Sequence, residues 1–262
     1  MLWEDIRSYD QLDDTRYLSR VVGGIETDRL IAEIVDLLHT EDVDKVQLTC
    51  RAIRDLIISI RDDDHVADFQ RAYHGSSIVS ELERIARDGK RDVRRAAIYT
   101  LGKTGCTGSV PILMDVFRSL MQSDPLVLPE VLFEICWLDR SRLGPLVDEM
   151  LASPSFLMRW AALEGPGADI ACGRLLHDPH DLVRMEAIFH LALIGRPVLP
   201  RTEARRKRKE LESYRPTVSF SDLRIMFDRW LREGGRTDHS VDEVEMFVDT
   251  EVRGYITTKA PR

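Results

Sequence analysis

Apolar residues recur at i, i+3, i+4 and i+7 almost continuously from residue 1 to about residue 195, with short breaks between runs. That period places them on one face of a helix, so the pattern predicts a succession of amphipathic α-helices. Val46, Cys50, Ile53, Ile57 and Ile60 form one stripe; Ile78, Leu82, Ile85 and Ala86 form another. Polar or glycine-rich breaks fall at 61–65, 105–108 and 165–167. Ser109-Val110-Pro111 reads as an N-cap followed by proline in the first turn.

The stripes repeat. With Arg94 as a zero position, matching segments place Leu128, Arg159 and Arg184 at zero, at spacings of 34, 31 and 25 residues. Position −1 holds Val93, Val127, Met158 and Val183, and position +3 holds Ala97, Val131, Ala162 and Ala187. Position +7 holds Leu101, Ile135, Pro166 and Leu191, with Pro166 the poor fit. Four-residue steps keep these side chains on one helix face, and small residues at +3 admit a close neighbour. Such periodicity is the mark of stacked helical repeats, each burying the apolar face of the next.

Asp92, Val93, Arg94, Ala97, Leu101 and Gly102 follow the pattern Asp-x-Val-Arg-x-x-Ala-x-x-x-Leu-Gly. This resembles the second helix of a HEAT repeat, and is similar to the short HEAT-like repeats of bilin-lyase-type bacterial proteins. Asp178-Pro179, Val183, Arg184, Ala187, Leu191 and Gly195 match as well. The resemblance covers residues 76–195, and 28–60 loosely. It implies an all-α, right-handed HEAT-like solenoid of antiparallel helix pairs, and a scaffold role. On this reading residues 1–195 form the array and 196–262 a C-terminal cap. The cap comprises the charged helix 201–213, an amphipathic helix carrying Leu223, Met226, Phe227, Trp230 and Leu231, and a final stretch, VEMFVDTEVRGYITT, whose partial alternation is compatible with a small hairpin.

Net charge is −8, unevenly spread. Residues 1–200 hold 23 basic and 33 acidic residues, whereas 201–215 hold seven basic and three acidic. An acidic body argues against nucleic acid, whose phosphates supply most of the affinity, and favours a basic partner protein. Cys50, Cys106, Cys136 and Cys172 are widely separated, with no CxxC pair, and no metal or cofactor is indicated. The N-terminus lacks the charge and apolar run of a signal peptide, and no segment reads as a membrane span, so the expected location is the cytoplasm.

The repeat frame also defines an outward stripe. Positions +1 and +5 lie about 40° apart around a helix, roughly opposite the core rows. They carry Arg95, Pro129, Trp160 and Met185, and Tyr99, Phe133, Glu164 and Phe189. Arg, Trp, Tyr, Phe and Met are enriched where proteins bind proteins. Arg95, Tyr99, Phe133, Trp160, Glu164, Met185 and Phe189 are therefore the candidate partner-binding residues; the bland alternative is gap-filling between helices. Arg94 and Arg184, near Asp92 and Asp181, read as charge pairs between repeats rather than an anion ladder. His177-Asp178 and His180-Asp181 imitate metal-phosphohydrolase dipeptides but fall where a turn belongs. The run Arg205-Arg206-Lys207-Arg208-Lys209 reads as a solvated helix or a segment folded back onto the acidic array, ahead of a contact with nucleic acid or an acidic lipid surface.

No nucleophile elbow, P-loop, HExxH or GxGxxG motif occurs, which points to a non-enzymatic protein. The expected function is a binding scaffold that presents an acidic, aromatic-lined concave face to a partner protein. An immunity protein or inhibitor occluding a toxin is the first specific role. One alternative is a HEAT-like alkylpurine DNA glycosylase, for which Trp137, Asp139, Arg159 and Trp160 offer the residue types. The other is a bilin-lyase-like chaperone.

Overall fold

In the computed structural model, residues 2–60, 64, 66–193, 220–233 and 239–259 are described. Among them every regular element is helical, with fifteen α-helices and no strand, so the chain is all-α as its periodicity requires. It divides into two compact units, residues 1–116 with 137–140, and 117–136 with 141–262. This division cuts across the array and cap expected from the sequence.

The first unit contains α1 (Leu2–Leu12), α2 (Thr15–Val22), α3 (Thr27–Leu38), α4 (Val43–Arg54), α5 (Ala67–Tyr73), α6 (Ser77–Asp88), α7 (Arg91–Lys103) and the start of α8 (Val110–Met121). Helix α3 packs on α4 and α6 on α7, while α3 also lies against α6 and α4 against α7. Two helical hairpins are thus stacked, first helix on first and second on second. The stripes named above form the seam: Val46, Cys50, Ile53, Ile78, Leu82, Ile85, Ala86, Val93, Ala97 and Leu101 are all buried. Asp42 caps α4, accepting a hydrogen bond from the Lys45 N–H at 3.1 Å. Gly105 ends α7 with φ +77°, and the Cys106 N–H reaches back to the Leu101 carbonyl at 3.1 Å.

One stripe changes phase. After α4, residues Asp55–Ser59 wind as a π-turn, and the Ile60 N–H bonds the Asp55 carbonyl at 3.1 Å. The wider turn brings Leu56 inward and leaves Ile57 half-buried. Most of the polar break at 61–65 lies outside the described residues. Ser109 immediately precedes α8, as the N-cap reading expects, and its hydroxyl donates to Glu83 at 2.7 Å.

The second unit holds the rest of α8, most of α9 (Leu128–Leu138), α10 (Leu143–Leu151), α11 (Phe156–Ala161), α12 (Ala168–Ala171), α13 (Asp181–Leu193), α14 (Phe220–Arg232) and α15 (Val241–Lys259). Its repeat rows are buried at Val127, Val131, Ile135, Met158, Ala162, Val183 and Ala187. Pro166 is half-buried. Short α11 packs against α10, α13 and the turn at Pro125–Val127.

The hairpin compatible with the last segment is not formed; residues 241–259 are helix α15. Ser240 and Glu243 make a reciprocal capping box, with the Ser240 N–H donating to Glu243 Oε2 at 2.8 Å and the Glu243 N–H to Ser240 Oγ at 3.3 Å. Val244 and Val248, one turn apart, are buried. Capping and a four-residue apolar step outweigh the strand propensity of the valines. The Ser155 hydroxyl donates to Glu245 of α15, and Phe220 of α14 sets its ring edge-on to Trp160 at 5.7 Å. The charged helix expected at 201–213, including the basic run, lies outside the described residues.

Candidate functional site

Two constellations stand out, one in each unit. The first grows from α7. Arg95, Tyr99 and Lys103 follow at four-residue steps and so share a face, opposite the buried Val93, Ala97 and Leu101. Tyr99 is 44% exposed. Its ring has the Arg54 guanidinium at 4.7 Å and the Lys103 ammonium at 5.2 Å. Lys103 also lies 5.1 Å from the ring of Trp137, which is 64% exposed. Arg54, Tyr99, Lys103 and Trp137 thus form a row in which cations and aromatic rings alternate. Each contact falls within the range of cation–π attraction, which orients large rings that remain open to solvent. The sequence reading placed Trp137 only in the glycosylase alternative, because it lies outside the +1/+5 frame.

The other candidate residues divide sharply. Phe133, on α9 in the second unit, is 40% exposed. Arg95, Glu164, Met185 and Phe189 are half-buried. Trp160 is 1% exposed and is no surface anchor. The outward reading of its position fails because α11 is covered on its far side: Phe220 of α14 closes over the indole.

Neighbouring Arg159 is equally committed. Its guanidinium makes two bonds to Asp178, at 2.5 and 3.1 Å, and two to the carbonyls of Ser153 and Pro154, at 2.9 and 2.8 Å. This is a charge pair between successive repeats, carried by the zero position of the third copy. Arg184 similarly bonds the carbonyls of Asp178 and Pro179. With Trp160 sealed and Arg159 saturated, neither can line a DNA-base cradle. Asp178 also accepts from the His180 N–H at 2.8 Å, so the His-Asp dipeptides form a turn, as their composition suggested. The first of them, His177-Asp178, borders an open cleft of about 400 Å³ that Arg159 and Arg174 also line.

The second constellation joins Glu164 to Glu186 and His190. Glu164 follows α11 and precedes Gly165, whose φ of +68° turns the chain sharply. Glu186 and His190 are one turn apart on α13, with His190 Nε2 3.3 Å from Glu186 Oε1. One oxygen or nitrogen of each residue lies within 4.8 Å of the others. Burial, reinforced by the Glu186 carboxylate, pushes the Glu164 carboxyl up to about 7, against the opposing pull of His190 and Arg224. The hydrogen bond to Glu186 raises the His190 imidazole above its usual range. The repeat frame offers Glu164 only as a partner contact and does not reach Glu186 or His190. The available signal was Glu-x-x-x-His within a helix, which puts both side chains on one face.

No disulfide joins the four cysteines, three of which are buried, and burial pushes Cys50 up to about 12. A thiol buried as Cys50 is does not act as a nucleophile. Among the described residues no helix is long and apolar enough to cross a membrane.

Comparison of the chain with curated proteins finds no match. Residues 93–119, running from the buried Val93 of α7 into α8, match the PBS lyase HEAT-like repeat, so this stretch carries a HEAT-like repeat.

Proposed function

We propose that this chain is a non-enzymatic scaffold that binds a partner protein through the aromatic–cationic row on α7 and Trp137. HEAT-like repeats serve generally as protein-interaction elements, and the observation that carries the reading is the exposure of Tyr99, between Arg54 and Lys103, and of Trp137 beside Lys103. Rings already held in place lose little conformational entropy on docking, which is why Tyr, Trp and Arg dominate binding hot spots. Phe133 is a second contact, on the other unit, and Arg95, Glu164, Met185 and Phe189 are flanking contacts. Residues 196–262 act as a cap; Phe220, Leu223, Phe227, Val244 and Val248 bury their apolar faces within the second unit. The net charge of −8 attracts a partner with a basic patch at long range, but the row itself is cationic rather than acidic, so the segment docked against Arg54 and Lys103 is apolar or acidic. By analogy, a cytoplasmic immunity or inhibitor protein that blocks a toxin by steric occlusion fits this profile.

The test is affinity capture with the full chain and with the Tyr99→Ala/Trp137→Ala pair, followed by titration of the captured protein. Loss of a true hot spot costs at least about 2 kcal/mol, roughly a 30-fold drop in affinity. Unchanged affinity of the double variant places the interface elsewhere. Binding to duplex DNA that falls steeply with salt replaces the scaffold reading with a nucleic-acid-binding one.

A further inference from the structure

The geometry points to a divalent metal site formed by Glu164, Glu186 and His190, suited to a first-row transition ion such as Zn²⁺. The three donors come from two stretches of chain, the bend at Glu164 and helix α13, and converge within the second unit, one oxygen or nitrogen of each lying within 4.8 Å of the others. They are not a loose acidic surface patch. Side-chain exposure is only 13% for Glu186 and 25% for His190, and the third donor is an imidazole nitrogen, not another carboxylate.

Donor chemistry selects the ion. Imidazole with carboxylate oxygens suits zinc and its first-row neighbours, whereas magnesium and calcium prefer all-oxygen shells. Zinc bonds of about 2.0–2.2 Å separate tetrahedral ligand atoms by roughly 3.4 Å, so closing the triad moves each donor by less than about 1 Å. Flexible glutamate side chains achieve that by rotation, without backbone movement. The turn at Gly165, φ +68°, aims Glu164 back toward α13, and the four-residue step from Glu186 to His190 presents their donors together. Two half-buried carboxylates repel each other, and a divalent cation between them relieves that repulsion. Arg224, the other positive group acting on Glu164, is ion-paired with Glu130, so it adds positive charge nearby without occupying the centre of the triad. Three protein ligands leave a coordination position for water, as in open zinc sites.

The site differs from the one the sequence suggested. The His177-Asp178 and His180-Asp181 dipeptides, which carry the familiar spelling of a metal motif, are used up in a turn and a buried ion pair. The convergent donors lie on the next helix and on the preceding bend.

The full-length chain, stripped with chelator, is titrated with ZnCl₂ by calorimetry and with Co²⁺ by visible absorption, alongside Glu164→Gln, Glu186→Gln and His190→Gln. The expected result is one ion per chain, cobalt ligand-field bands without a thiolate charge-transfer band, and no displacement by Mg²⁺ or Ca²⁺. Loss of an outer-shell partner alone costs about 10–100-fold in metal affinity, so each ligand substitution is expected to weaken binding by at least about 100-fold. Circular dichroism of each near-isosteric variant checks that it folds. If a variant does not fold, the wild-type cobalt spectrum still decides. Absence of saturable zinc binding overturns the assignment. So does equal binding by all three folded variants, or a thiolate band, which moves the ion to a cysteine such as Cys172.

Discussion

Helices α7 and α11 occupy equivalent places in the repeat, yet they meet opposite fates on their outer faces. Their inner rows agree: Val93 and Ala97 on α7 are buried, and so are Met158 and Ala162 on the α11 copy. Outside, Tyr99 stands in solvent between Arg54 and Lys103, while Trp160 is sealed beneath Phe220. Their length explains much of this. Helix α7 has 13 residues and projects an outer face beyond its seam, whereas α11 has six, all of them buried. A short helix enclosed by α10, α13 and the turn at Pro125–Val127 has no outer face left to offer. The inner face of a repeat is therefore set by its own pattern, and the outer face by whatever later segments pack on it.

The strongest way to break this comparison is to delete both aromatics. Trp160→Ala is expected to cost about 3–5 kcal/mol in urea unfolding, because it leaves a large cavity in the second unit. Tyr99→Ala is expected to stay within about 0.5 kcal/mol, since an exposed ring anchors little of the fold. Equal losses would mean that the two outer faces are not different after all.

The buried ion pair sharpens the contrast next. Asp178→Ala strands the Arg159 guanidinium in a buried setting and is expected to cost about 3 kcal/mol or more. Glu4→Ala, which removes the exposed partner of Arg7, should cost no more than about 0.5 kcal/mol. A shift of the urea midpoint measures both.

The smallest expected effect is a pH dependence confined to the covered region. His180 stacks on Phe156 at 3.9 Å, and burial lowers its pKa below the usual 6.5; Arg159 adds to this, while Asp181, Asp249 and Asp178 pull the other way. The unfolded chain then binds the proton more readily, so this contribution is complete above pH 6.5 and is lost as pH falls from there through the lower folded value. His180→Gln should flatten the stability profile between pH 7 and 5 relative to wild type, by roughly the loss from one histidine. An unaltered profile would show that the stacked ring carries no proton linkage.

Much of the architecture was legible because helix periodicity and burial are the same physical fact seen twice. Residues at −1 and +3 face the next helix whatever else the chain does, and every one of them is buried. The end of α7 at Gly105 and the start of α15 at Ser240 were equally local. The capping box there was readable, although the valines that follow invited a strand. Tertiary structure decided the rest. Nothing local in the repeat frame says that Phe220, sixty positions on, covers Trp160, or that Trp137 swings beside Lys103. Nor does spacing alone reveal that Glu164 meets Glu186 and His190. A side chain's inward direction follows from the helix it sits on; its neighbours on the open side depend on long-range packing, which no short window of sequence contains.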